Sequence, residues 1–381
     1  MWDQVVGQTR VKNLLRTVIE RERIPHAYLF YGEEGAGMDA MAIEFARALN
    51  CENRKPDACR VCSSCIKFNN LQHPNLRLVF ALPRGRNEKE DDSPTKALQE
   101  SDIKVIQNQI SLKAKNPYHQ IQIPRANEIR INSVRELRRD AALSPFASGW
   151  KVYILLDADR MNPESSNALL KTLEEPTARS ILILTTSKRE RLLPTILSRC
   201  QPLKFDPLSR EDIRDALMNR YSVSPDRAEL IAVLANGNFS RALELLDTDV
   251  SERRDVVLEF LRNALGGNII RLFAQIDELT RGSDRSAIEQ TLSLMLLWFR
   301  DAEVFRTQKS GGLVNVDQVD VLQRFVNRYP NCDLAEAISS VERAIALVGR
   351  NVYLPLVLAN LAFELRRATA RKERLVETKY P

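Results

Sequence analysis

Apolar residues in the first 205 positions follow two alternating rhythms. Short continuous runs read as strands buried on both faces of a parallel sheet: HAYLFY (26–31), LRLVF (76–80), KVYILLD (151–157) and SILILTT (180–186). Between them MDAMAIEFARAL (38–49), INSVRELRRDAAL (131–143) and SSNALLKTLEE (165–175) carry helical spacing. The alternation predicts a wound α/β domain over residues 1–205. Asn132 and Ser133 offer an N-cap for the second of those helices, with Glu136 as capping-box partner.

Residues 81–127 break the rhythm. PRGRNEKEDDSPTK (83–96) is charged and turn-rich with little to bury, which predicts a mobile surface insertion. DIKVIQNQISLKAKNPYHQIQIP (102–124) fits strand or helix equally and has no assigned place. Beyond residue 205 only helical patterns recur. Short ones, broken by Pro, Asn and Gly, predict a small helical domain over 206–248. Longer ones, such as AIEQTLSLMLLWFRDAEVF (287–305), predict a larger all-α domain over 249–381.

Composition narrows the setting. Lys and Arg number 56 against 50 Asp and Glu, a net charge of +6. So small an excess permits an acidic partner or nucleic acid without requiring either. MWDQVVGQTR lacks the apolar centre of a secretory leader, and LSLMLLWF (292–299) is too short to span a bilayer. A cytoplasmic protein with no membrane contact is expected. Four of six cysteines, Cys51, Cys59, Cys62 and Cys65, form C-x7-C-x2-C-x2-C. Four thiolates at this spacing wrap a tetrahedral zinc ion and leave no open position for a substrate, so structural zinc is expected. The alternatives are reduced thiols, a redox pair, or a knuckle gripping nucleic acid through Arg54, Lys55, Arg60 and Lys67.

After the first strand comes GEEGAGMD (32–39). A phosphate-binding loop reads G-x-x-x-x-G-K-[ST], and Gly32 and Gly37 keep its spacing with Gly35 between them. Met38 stands where the Lys belongs and Asp39 where the hydroxyl belongs. Asp39, with Glu33 and Glu34 nearby, sets negative charge against a polyanion. One unit pair at about 4 Å and an effective dielectric near 20 is worth about 4 kcal/mol. Productive ATP binding is therefore not expected; direct metal ligation by Asp39, or a Gly-rich turn that merely packs closely, are the other readings.

NALLKTLEEP (167–176), together with WDQVVGQ (2–8), HAYLFYG (26–32), the four cysteines and SRC (198–200), resembles the AAA+ clamp-loader family, and within it the delta-prime branch. The resemblance implies an AAA+ wound domain with a zinc-binding insertion, followed by two all-α domains, the last a collar. Counted back from Asn167, the family's metal-holding Asp falls on Leu156 and its water-activating Glu on Asp157. A one-residue shift places them on Asp157 and Ala158. Either register lacks one carboxylate that hydrolysis requires. Arg199 matches the family's arginine finger, acting in trans on a neighbour's ATP; Thr186 resembles sensor 1 and Arg241 sensor 2. The implied partners are gamma/tau and delta subunits in a five-membered ring, with a sliding clamp and primer-template DNA met through the complex. The chain is thus expected to be no ATPase on its own. An ATP-hydrolysing gamma/tau-like subunit, or a lone zinc-dependent nucleic-acid-binding module, are the rival readings.

Overall fold

The computed structural model describes the chain except residues 1, 3, 54–55, 86–91, 144–148, 178, 247–249, 283–284, 309–312, 316–317, 351 and 371–381. Arg54 and Lys55 of the cysteine segment, and the centre of the charged stretch at 83–96, lie outside the described residues. The first part runs α1 (Thr9–Glu20), β1 (Ala27–Gly32), α2 (Met38–Leu49), α3 (Ser63–Asn69), β2 (Leu76–Val79), α4 (Glu100–Lys115), α5 (Ile131–Ala141), β3 (Lys151–Leu155), α6 (Pro163–Glu174), β4 (Ser180–Thr186), α7 (Pro194–Leu197) and β5 (Gln201–Phe205). All strand pairs are parallel, in the order β2-β3-β4-β1-β5. The wound α/β expectation holds.

All four expected strands occur; every residue of β3 and β4 is buried, while β2, at one sheet edge, leaves Arg77 exposed. The fifth strand, QPLKF, was not anticipated. It lies at the sheet edge beside β1, burying only Leu203 and Phe205. Edge position explains both its Pro and its polar residues. On one sheet face Leu29, Tyr153, Leu155, Leu182 and Leu184 pack with Val134 and Leu137 of α5 and Leu169 and Leu173 of α6. Tyr28, Phe30, Phe45 and Phe205 pack edge-on or tilted around the other.

Two local expectations need correction. The cap of α5 is Arg130, without a side-chain cap hydrogen bond; Asn132 and Ser133 already lie inside the first turn. An upstream bridge between Ile129 and Met161 fixes the chain and starts the helix early. Glu136 accepts a hydrogen bond from Ser93 instead, at 3.0 Å. Nor is the described part of 81–127 a loose elaboration. Ala81, Leu82, Ile106, Ile123 and Ala126 belong to the core of the sheet domain. The unplaced segment forms α4, whose apolar residues at 103, 106 and 110 repeat at helical spacing among polar ones.

Helices continue as α8 (Arg210–Tyr221), α9 (Pro225–Ala235), α10 (Phe239–Leu246), α11 (Val250–Gly266), α12 (Ile269–Thr280), α13 (Arg285–Gln308), α14 (Val319–Arg328), α15 (Leu334–Gly349) and α16 (Leu354–Ala370). Packing divides the chain into two compact units, Met1–Ala216 with Asn236–Leu243, and Leu217–Ala235 with Glu244–Pro381. Residues 206–248 are thus shared between the two. In the second unit α13 packs on α15, α11 and α14, and α15 on α16. Trp298, Phe299 and Phe325 form an edge-to-face cluster at its centre. Ile270 and Phe273 of α12, and Leu356 and Phe363 of α16, remain exposed. Among the described residues no helix is long and apolar enough to cross a membrane.

Candidate functional site

The order β3-β4-β1 brings the carboxyl ends of three strands together, where open α/β sheets bind ligands. The loop after β1 turns sharply through Gly35 (φ 72°) and Gly37 (φ 97°) into α2. A side chain on Gly35 would start 1.8 Å from Asn238 Oδ1, and one on Gly37 2.8 Å from the Tyr118 hydroxyl. Only glycine fits either position. Gly35, Gly37, Met38, Asp39, Leu156, Asp157 and Thr186 all line one cavity, which also takes in Tyr118, Thr185 and Ser240. Its volume is about 60 Å³, against the roughly 300–1,000 Å³ of ordinary small-molecule sites.

Met38 presents no charge, and the cation nearby comes from elsewhere. Lys113, at the end of α4 and 1% exposed, places Nζ 2.8 Å from Asp39 Oδ2. The same ammonium donates to the carbonyls of Pro117 and His119 at 3.3 and 2.8 Å, which occupies its three donors. Thr185 donates to the other Asp39 oxygen at 2.7 Å. Asp39 is therefore compensated from within, and the uncompensated acid expected from the sequence is replaced by an ion pair whose lysine is buried and whose carboxylate is partly exposed.

The second motif also takes definite form. Leu156 is buried, and its N–H donates to Val79. Asp157 follows in a left-handed conformation (φ 50°) and reaches the cavity. Surrounding protein atoms, and then the negative charges of Asp39 and Asp159, push its carboxyl up to about 6, a shift that solvent screens because the side chain is 61% exposed. Between about pH 4 and 6 the folded chain keeps a proton that the unfolded chain has released. That contribution to stability is lost as pH rises through this window. Asp157→Asn, which suits the left-handed backbone, is expected to raise the melting temperature at pH 7.5 and to leave it unchanged at pH 4. Thermal melts at both values check this; equal shifts would refute it. Thr186 donates to Asp159 Oδ1 at 2.6 Å and accepts from the Lys188 N–H, so it does not point freely at a ligand. The Arg241 N–H donates to Asn238 Oδ1, and Arg241 is not among the residues lining the cavity.

Away from this cavity the four cysteines converge. The sulfurs of Cys51, Cys59, Cys62 and Cys65 all lie within 4.8 Å of one another, with Cys59 and Cys65 at 4.0 Å. A tetrahedral zinc site with Zn–S bonds near 2.3 Å places its sulfurs about 3.8 Å apart, so the four residues fit the ion. The N–H groups of Cys59, Cys62 and Cys65 point at the sulfurs of Cys51, Cys59 and Cys62, at 3.3, 3.4 and 3.4 Å. Such donors, from Val61 and then Cys62, bring the Cys59 thiol down to about 6, while burial raises Cys51 and Cys65. Arg60 turns inward, pairing with buried Glu44 at 2.8 Å.

The family described as "DNA polymerase III, delta subunit" matches residues 7–209. The chain belongs to this family. Its relatives include the DNA polymerase III subunit delta' of Bacillus subtilis (strain 168), 28% identical over 363 residues, covering 94% of this chain and 96% of the relative. The gamma/tau subunit of Mycoplasma pneumoniae is 28% identical over 264 residues, but the chain spans only 32% of its length. A solved Thermotoga maritima protein, titled as related to the DNA polymerase III gamma subunit, aligns with 94% of this chain and 99% of its own at 16% identity and a TM-score of 0.42.

In this delta-subunit family member Arg199 lies apart from the cavity lining, in the turn after α7. Its guanidinium pairs with Glu174 Oε1 at 2.8 Å and donates to the Thr195 carbonyl at 3.0 Å, yet stays 36% exposed. Cys200 beside it is buried. Lys113, Tyr118, Thr185 and Asp159 were not anticipated. Lys113 and Tyr118 lie 74 and 79 residues from Asp39, and only the helical spacing of α4 hinted that the segment folds.

Proposed function

We propose that this chain is a delta-prime-like stator of the replicative clamp loader. It does not turn over ATP itself; it offers Arg199 to the γ-phosphate of ATP held by an adjacent gamma/tau-type subunit. A delta-type subunit completes the set of partners in a five-membered ring. The ring loads a sliding clamp on primer-template DNA for DNA polymerase III, in the cytoplasm. The observation that carries this reading is the contrast between two cations. At the loop, Met38 replaces the Lys and Lys113 is wholly engaged with Asp39 and two carbonyls. At the surface, Arg199 keeps a guanidinium accessible on a short helical turn. A planar, permanently charged fork suits phosphate oxygens.

The remaining residues take supporting roles. Leu156 cannot hold a magnesium ion, Asp157 lacks a partner carboxylate in the right register, and Thr186 and Arg241 are remnants of sensors. A structural zinc held by Cys51, Cys59, Cys62 and Cys65 braces the junction of α2 and α3; four thiolates leave it no chemistry to perform. Residues 249–381 serve as the collar, and the exposed Ile270, Phe273, Leu356 and Phe363 supply apolar surface of the kind that marks protein contacts. Equilibrium dialysis of the isolated chain with magnesium and ATP tests the stator against a gamma/tau-like ATPase. The expected result is no occupancy at 0.1–1 mM-scale nucleotide, about the upper range of enzyme KM values; binding with turnover would overturn the proposal.

A further inference from the structure

We infer that residues 113–121 are a built-in occupant of the phosphate loop, latched there by the Lys113–Asp39 ion pair. The inference deepens the stator proposal and rests on reading residues 32–39 as a former nucleotide loop. It gives the insertion a role: the segment joins elements that a bound nucleotide would otherwise join.

Three groups of contacts carry it. Lys113 reaches from the last turn of α4 to Asp39, the residue standing where the loop's hydroxyl belongs. Its remaining hydrogen bonds go to Pro117 and His119, so the latch and the segment it holds are one structure. A buried ammonium persists only when it is paired and its hydrogen bonds are complete, and here its three donors are used, against an Asp39 carboxylate that is partly exposed. Next, Tyr118 fills the space over Gly37, its hydroxyl accepting the Val6 N–H at 2.8 Å. Its ring meets Phe239 edge-on at 4.8 Å. Finally, Ser240 Oγ donates to the Tyr118 carbonyl at 2.8 Å, the Phe239 N–H donates to Gly35 at 3.1 Å, and Gln120 hydrogen-bonds Glu34. One segment thus connects the chain's beginning, the loop and residues 239–240. The cavity left between them is about 60 Å³.

This account separates a filled site from one that merely lacks charge. Were charge alone at fault, Met38→Lys would be enough to admit nucleotide. With the segment latched, it is not. Removing both latch partners together, Asp39→Thr with Lys113→Met, strands no charge; the Pro117 and His119 carbonyls lose their donor, which loosens the segment further.

The test uses the full chain and two readouts. In titrations with a fluorescent ATP analogue and magnesium up to about 1 mM, Met38→Lys is expected to stay as unoccupied as the native chain. The triple variant Met38→Lys, Asp39→Thr, Lys113→Met is expected to bind at least tenfold more tightly. Hydrogen exchange of the native chain is expected to show amides of 118–121 protected like those of the sheet, and in Asp39→Thr, Lys113→Met to speed up at least tenfold there and at 239–240. Native exchange at 118–121 as fast as in an exposed loop would overturn the latch, even if the variants fail to fold. So would Met38→Lys binding as tightly as the triple variant while the native chain binds none; that result would leave the stator proposal standing.

Discussion

Replacing Cys65 with Ser is expected to release one zinc ion per chain and to lower the melting temperature by about 8–16 °C. The argument starts from what the cysteine segment lacks. α3 has seven residues, too few to hold a helix unaided in water. Its start is fixed by a sulfur: Cys62 caps it by accepting the Cys65 N–H. Cys51 follows α2 directly, so the cluster ties the end of α2 to the start of α3. Ser64 continues the tie, donating to the Asn50 carbonyl at 2.6 Å and meeting His73 Nε2 at 3.0 Å.

A metal that binds only the folded chain stabilises it by mass action, about 4 kcal/mol when free metal exceeds its dissociation constant a thousandfold. For a domain of about 200 residues each kcal/mol moves the midpoint by about 2–4 °C, which gives the stated range. Metal analysis by mass spectrometry and a thermal melt check both halves. Loss of zinc with an unmoved midpoint would mean that the module braces nothing. A native chain purified with no zinc and no response to a chelator would remove the metal from the account.

What the residues disclosed on their own follows from how each signal is encoded. Strands buried on both faces announce themselves as unbroken apolar runs, so β1, β3 and β4 were legible, and the edge strand β2 was legible because only Arg77 interrupts its run. β5 was not, because an edge strand buries only alternate residues and tolerates Pro202. The helix α6 was legible from residue 165, and it starts two residues earlier, where Asn162 accepts the Ser165 N–H ahead of Pro163. By the same logic α5 misled, since its cap is set by a tertiary bridge and not by local chemistry.

The cysteine cluster was readable from spacing because its four ligands lie within fifteen residues. The loop was readable as altered, since Met38 and Asp39 sit inside a fixed motif. Its filling was not. No local pattern says that a lysine in a polar helix will reach the acid of a distant loop; that pairing exists only once β2, α4 and β3 have been wound together. Charge balance at Asp39 therefore reads as repulsion in one dimension and as an ion pair in three.

The second large effect concerns the neighbour's chemistry. An arginine meeting the γ-phosphate stabilises charge that develops as the phosphoryl group leaves, and is worth about 10³–10⁵ in turnover at the site it faces. In the proposed role Arg199 meets that task without being buried for it: Glu174 and the Thr195 carbonyl hold it against α6 and α7 while part of it stays open to solvent. Both are weak surface contacts, of the kind worth under about 1 kcal/mol, so an approaching triphosphate displaces them at little cost. Truncating the side chain removes no core packing, and assembly is expected to survive.

The most direct measurement reconstitutes the ring from its gamma/tau-type and delta-type subunits with this chain, native or Arg199→Ala, and follows ATP turnover at the site facing this chain together with the ring's assembly state. The account predicts an intact ring in which turnover at that site falls by about 10³-fold. An intact ring with undiminished turnover at that site would contradict it.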